Sequence, residues 1–353
     1  MYDKDNLAAS CKEETQPITT SDSRLLGARK TYSFLALILI LVDASGALAS
    51  IAIDAAMQRL VTSGLVLGDG TIMWLSTFIP LYIVAFPLGI LLFRRLPKAK
   101  AIQGSLPVKE FCFYLLACFP LMYLGNAIGT VLSWILSSGS STNQLMNYVF
   151  STSPLKVVVI VILAPMLEEL IFRKMLIDHS VMYGERNAII VSGLTFGLFH
   201  GNLYQFFYAF AIGLVFATVY TRTRKLRYSV CLHSFLNFLG SVVAPWIVSK
   251  IDLEGILKME QRLLNGDIPE DLAELEQIGR STIPLFVYAS ILLTLSIIGG
   301  ILLVRALRKH DAKVAPYQTV QGGINGKDVF LNIGMLLFYI SSMIQFSIAL
   351  FRT

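Results

Sequence analysis

Three groups of polar residues in this 353-residue sequence have types and spacings that could do chemistry together. The first is Glu168-Glu169 with Arg173 one helical turn beyond Glu169. The second is His200, four residues after Phe196, and the third is His233 with Asn237 four residues on. Residues four apart are neighbours on a helix, so Glu169 faces Arg173 while Glu168 is turned about 100° away. The two glutamates therefore divide: Glu169 with Arg173 makes a neutralised structural pair, and Glu168 is the chemical candidate. A carboxylate in a cavity of low dielectric is the kind of group that works as acid or base near neutral pH. His233 and Asn237 share a helix face and can offer hydrogen bonds to a developing oxyanion, with His200 as a third polar arm. Glu168, His200 and His233 could activate a water directly, or could hold a divalent metal such as zinc that makes its bound water a nucleophile.

The elements that must position these groups are hydrophobic. The chain is 55% hydrophobic and only 15% charged, against roughly 25% charged residues in a soluble domain. Its apolar residues arrive in blocks of about 20, the length a helix needs to cross about 30 Å of hydrocarbon. The fold class this predicts is all-α: a polytopic membrane helical bundle of about eight to nine transmembrane helices, with the site inside the bundle. Hydropathy gives nine spans, at 33–54, 71–93, 109–136, 155–177, 187–201, 203–221, 228–249, 282–306 and 329–350. An ionisable group inside such a span costs at least about 2.5 kcal/mol on insertion scales, so each one marks a functional suspect.

Arg and Lys cluster in every second loop: Arg29 and Lys30 before the first span, Arg94, Arg95 and Lys98 after the second, Arg222, Arg224, Lys225 and Arg227 after the sixth. The bias predicts a multi-pass cell-membrane protein with a cytoplasmic N-terminus and an exterior C-terminus. The net charge of +6 is thus topological, with the lipid bilayer as partner and no nucleic acid. Leu35 to Leu41 followed by Ala47-Leu48-Ala49 imitates a signal peptide, but the preceding polar stretch is too long and carries acids, so the first span is expected to be retained. Cys11, Cys112, Cys118 and Cys231 show no metal-ligand spacing and read as packing residues.

Smaller features complete the plan. The tail from Met1 to Arg24 reads as disordered, and Ile268 to Glu276 as a short amphipathic helix in the exterior loop. His179 and His310 stand beside basic loops and read as solvated, whereas Asp43 and Asn126 read as cavity-lining or span-end residues. The fifth and sixth spans are joined by His200-Gly201-Asn202-Leu203 with no charged loop. A turn recessed below the membrane surface, beside an internal cavity, is expected there.

At the three polar groups the sequence resembles the CPBP (CaaX protease and bacteriocin-processing) family of intramembrane proteases, which includes the type II CaaX prenyl endopeptidases and bacterial self-immunity proteins. The pattern of two glutamates, three residues and an arginine is Glu168-Glu169-Leu170-Ile171-Phe172-Arg173; the aromatic with a histidine four on is Phe196 to His200; the histidine with an asparagine four on is His233 to Asn237. The resemblance covers roughly 155–240. It implies a membrane hydrolase in which Glu168, aided by His200, activates water against a peptide carbonyl while His233 and Asn237 stabilise the oxyanion. The catalytic set it implies is Glu168, Glu169, Arg173, His200, His233 and Asn237, with Glu168, His200 and His233 as ligands if a metal takes part. The partner implied is a peptide or membrane-associated protein substrate. The organisation expected is a polar tail at 1–30, transmembrane helices at 31–140, a protease-like core at 150–245, an exterior loop at 250–281 and further transmembrane helices at 282–353. The alternative function is a non-proteolytic immunity or scaffold protein of the same fold.

Overall fold

Long apolar runs satisfy their backbone polar groups within themselves, and the nine predicted spans fall on helical segments, the last of them broken at Leu331 and Asn332. The computed structural model describes residues 21–64, 66, 69–99, 103–266, 272–309, 324 and 326–351. The first twenty residues with Cys11, Ile268 to Asp271 and His310 lie outside the described residues. In chain order, α1 is Ser21–Thr62, and α2 runs through Asp69–Ile79, a wide π turn at Pro80–Ala85 and Phe86–Phe93. Next come α3 (Val108–Leu136) and the short α4 (Leu145–Val149). The rod α5 joins Val157–Leu163, Ala164–Glu169, Leu170–Met175 and Leu176–Ser180, its first and third pieces again being π turns. After α6 (Glu185–Phe199) and α7 (Leu203–Thr223), α8 joins Leu226–Phe238, a π turn at Leu239–Val243 and Ala244–Val248. The chain continues through α9 (Leu253–Leu264), α10 (Leu272–Arg308), α11 (Gly326–Phe330) and α12 (Ile333–Phe351).

Seven of these rods are long and apolar enough to cross a membrane. The two predicted spans outside these seven, α5 and α6, bring Glu168, Glu169, Arg173 and His200 to the site, and α8 brings His233 and Asn237. Rod α5 holds Glu168, Glu169, Arg173, Lys174 and Asp178. Helix α6 has 15 residues, about 22 Å at 1.5 Å per residue, which is shorter than the hydrocarbon core. Both depend on their neighbours for burial. The exterior loop differs from expectation: Leu272 to Glu276 is the beginning of α10 and not a separate helix. The free-standing amphipathic helix is α9, started by Asp252, whose side chain accepts from the Gly255 N–H.

Helix α7 is the hub, the most buried of the spans, with α3 on one side and α6 on the other. Both neighbours approach it through glycines four apart, Gly125 and Gly129 on α3 and Gly193 and Gly197 on α6. A Cβ on Gly125 would stand 2.5 Å from the Tyr208 backbone, so only glycine permits that approach. Without a hydrophobic drive between helices in lipid, such backbone proximity maximises van der Waals contact. Helix α1 is bound in by Tyr32, Leu35, Leu39 and Val42, which join the main apolar cluster with Phe86, Ile171, Phe172 and Phe196. Asp43 on α1 is bonded by the Gln345 side chain of α12, tying the first and last spans.

Candidate functional site

A cavity of about 560 Å³ opens among α2, α3, α5, α7 and α8, and Glu168, His200, His233 and Asn237 all line it. Its remaining wall is mostly apolar and aromatic, with Tyr82, Asn126, Gln205 and Tyr208 as further polar groups. The segment around α4 covers one side, contributing Asn143, Met146 and Tyr148. It is held by Thr77 Oγ1 at 2.7 Å from the Tyr148 hydroxyl and by the Trp74 indole N–H donating to Ser151 Oγ at 3.2 Å.

Glu169 and Arg173 are sealed behind this wall, both at 0% exposure. Arg173 Nε donates to Glu169 Oε2 at 3.0 Å, and Nη1 donates to Ser192 Oγ at 2.8 Å. Its guanidinium lies 4.5 Å from the Phe196 ring centroid, a cation–π arrangement that suits a desolvated arginine. The other carboxylate oxygen of Glu169 takes a hydrogen bond from His233 Nδ1 at 3.2 Å. The i,i+4 pair thus also orients an imidazole on a different helix.

His233 stands between the two glutamates. Its Nε2 lies 3.8 Å from Glu168 Oε2, too long for a hydrogen bond and spaced for a bridging group or water. The His200 Nδ1 lies 2.8 Å from the Phe196 carbonyl. A carbonyl can only accept, so Nδ1 carries the proton and Nε2 keeps its lone pair. Phe196 packs edge-on against both imidazoles, at 4.9 Å from His200 and 5.7 Å from His233 between centroids. This shared ring is what brings together histidines that sit at different heights in their spans.

His200 also ends α6, at the turn into α7. Gly201 adopts φ +65°, a conformation glycine takes without strain. Asn202 then caps α7 by accepting from the Gln205 N–H at 3.0 Å, while its amide donates to the His200 carbonyl at 2.8 Å. Asn202 thus pairs polar groups of the turn within the turn itself.

Asn237 donates to the Ile160 carbonyl at 2.9 Å. That carbonyl is free for a local reason. In the π turn of α5 the Ala164 N–H bonds back to the Val159 carbonyl, and the next residue, Pro165, has no N–H to offer Ile160. One amide hydrogen of Asn237 is committed there, leaving the second available.

Other sequence expectations resolve plainly. Asn126 lines the cavity. His179 is buried, not solvated, with Nδ1 against the Met175 carbonyl and its ring 6.1 Å from Phe93, because Phe93 of α2 packs against it from another rod. Cys118 is buried, and Cys112 and Cys231 are exposed and unpaired. Ser192 was not anticipated, although Ser192, Phe196 and His200 recur every four residues on one face of α6. Among the described residues no three His, Cys, Asp or Glu side chains are gathered closely enough to hold a metal ion. Glu168, His200 and His233 share a cavity without forming a ligand cluster.

Comparison with known proteins falls on the same segment. Residues 150–239 match the family model described as type II CAAX prenyl endopeptidase Rce1-like. The matched segment carries Glu168, Glu169, Arg173, His200, His233 and Asn237. Over 163 residues, 44% of this chain, the sequence is 26% identical to the "Putative membrane peptidase YdiL" of Bacillus subtilis (strain 168). The match spans 66% of that relative, just under two thirds of its length. No solved structure matches the chain.

Proposed function

We propose that this multi-pass membrane protein is an endopeptidase that hydrolyses a peptide bond with water activated by Glu168 and His200. The observation that carries this reading is the division of the polar groups by one wall: Glu168, His200, His233 and Asn237 line the cavity, and Glu169 with Arg173 is sealed behind it. The His200 Nε2 lone pair accepts a hydrogen bond from the attacking water, and Glu168 takes its proton. The developing oxyanion faces the second amide hydrogen of Asn237 and the Nε2 edge of His233. His233 donates from Nε2 only as an imidazolium, for which Glu168 and Glu169 are counter-charges on its two edges. Glu168 then returns its proton to the leaving amine, closing the cycle. The peptidase name of the relative and the description of the family model support the reaction class.

The test is cleavage by purified protein in detergent, with a panel of prenylated and unprenylated peptides and with a chelator added in parallel. Cleavage that survives the chelator is expected, because the glutamate and histidines suffice as a water-activating set. Activity abolished by the chelator and restored by zinc would overturn the metal-free route.

The chain lies with its N-terminus in the cytoplasm of the cell that holds it, since the alternate loops bearing Arg94, Arg95 and Lys98, and Arg222 to Arg227, are the basic ones. In a cysteine-free background, Ser140→Cys is expected to react with an impermeant thiol reagent in intact cells, and Lys98→Cys only after the cells are opened. The reverse pattern would invert the topology.

A further inference from the structure

We infer that the main-chain carbonyl of Gly240 is a binding group for a backbone N–H of the peptide seated in the cavity; the inference rests on the proposed peptidase reading and adds a subsite to it. In the π turn of α8 the Ala244 N–H bonds to the Leu239 carbonyl, one residue short of its usual α-helical partner, Gly240. The following residue, Pro245, has no N–H. Gly240 thereby loses the α-helical donor, Ala244, and the π-helical donor, residue 245, and among the described residues no side chain donates to it. Leu239, in contrast, is doubly served, because the Tyr288 hydroxyl donates to it at 3.0 Å.

The same device occurs twice more around the cavity. On α2 the Phe86 N–H bonds to the Leu81 carbonyl and Pro87 follows, which frees Tyr82. On α5 the Ala164 N–H bonds to Val159 and Pro165 follows, which frees Ile160. Tyr82, Ile160 and Gly240 all line the one cavity. At Ile160 an amide of the protein itself, Asn237, occupies the freed carbonyl, so the pairing inferred for Gly240 has a precedent one helical turn from it.

Gly240 is also open to a ligand. It has no side chain, so its share of the lining is main chain, and a Cβ built on it meets nothing within 4 Å. A peptide entering an apolar chamber must find acceptors for its own N–H groups, just as the carbonyl must find a donor. Each supplies what the other lacks.

Gly240→Ala tests the assignment with little risk to folding, since the added methyl enters open space and alanine favours a helix over glycine. Peptide affinity is measured directly, alongside cleavage, for wild type, Gly240→Ala and Pro245→Ala; the last supplies an N–H that competes for the carbonyl. Each is repeated with peptides in which one non-scissile amide at a time is replaced by an ester. The expected result is at least about tenfold weaker peptide binding in both variants. One ester position should weaken binding to wild type by a similar factor and cost nothing further in Gly240→Ala. Unchanged affinity in both variants, with no sensitive ester position, would overturn the inference even if cleavage is robust. Peptide binding with that pattern but without cleavage would remove the proposed catalysis and leave this subsite standing, and no peptide binding at all would remove both.

Discussion

Replacing Glu168 by glutamine lowers peptide cleavage by about 10²–10⁴-fold, the range over which a positioned acid–base group acts, while the protein folds as before. The substitution keeps the shape and the hydrogen-bonding reach of the side chain and removes only its capacity to take a proton from water. Glu168 has no ion pair within hydrogen-bonding distance; its nearest basic atom is His233 Nε2 at 3.8 Å. Loss of its charge therefore leaves no partner stranded, and the thermal unfolding midpoint in detergent should match that of wild type. Cleavage within a few-fold of wild type in the glutamine variant would remove Glu168 from the chemistry. Loss of both cleavage and folding would recast Glu168 as a structural residue.

Arg173→Ala gives the opposite signature, a large loss of stability by about 3–5 kcal/mol, the cost of breaking a buried ion pair from one side. The guanidinium is fully buried against Glu169, Ser192 and the Phe196 ring. Its removal leaves the Glu169 carboxylate with only His233 beside it. Replacing both members, Glu169→Met with Arg173→Met, should recover most of the stability, because no charge is then left without a partner. The double variant should stay inactive, since His233 loses the carboxylate that fixes its Nδ1 and orients its ring. Denaturation in detergent separates these outcomes. A wild-type midpoint for Arg173→Ala would show that the pair contributes nothing to folding, and cleavage by the stable double variant would show that Glu169 does not position His233.

Local arithmetic determined much of this protein. The lengths of the apolar runs marked every long helix, since lipid leaves a spanning segment no other way to satisfy its backbone. The i,i+4 rule paired Glu169 with Arg173 and turned Glu168 elsewhere, because helix geometry alone fixes which side chains are neighbours. The uncharged His200-Gly201-Asn202 junction pointed to a recessed turn for the same reason: charge marks where a loop reaches water, and none was present. His179 was misjudged as solvated because its sequence neighbours are polar, whereas burial depends on what packs from other helices.

What only the tertiary structure decided are relations between helices. Nothing in the spacing says that His233 would bond Glu169, or that Ser192 would receive Arg173, because these contacts join residues 64 and 19 positions apart. Phe196, edge-on to both imidazoles, joins His200 and His233 across two helices. The π turns before Pro87, Pro165 and Pro245 were likewise out of reach of hydropathy, which registers a proline as an interruption without saying which carbonyl it frees. Sequence sets which groups a helix carries and how they repeat along it. The packing of one helix on another sets which of them meet, and a site built from three helices is a property of that packing.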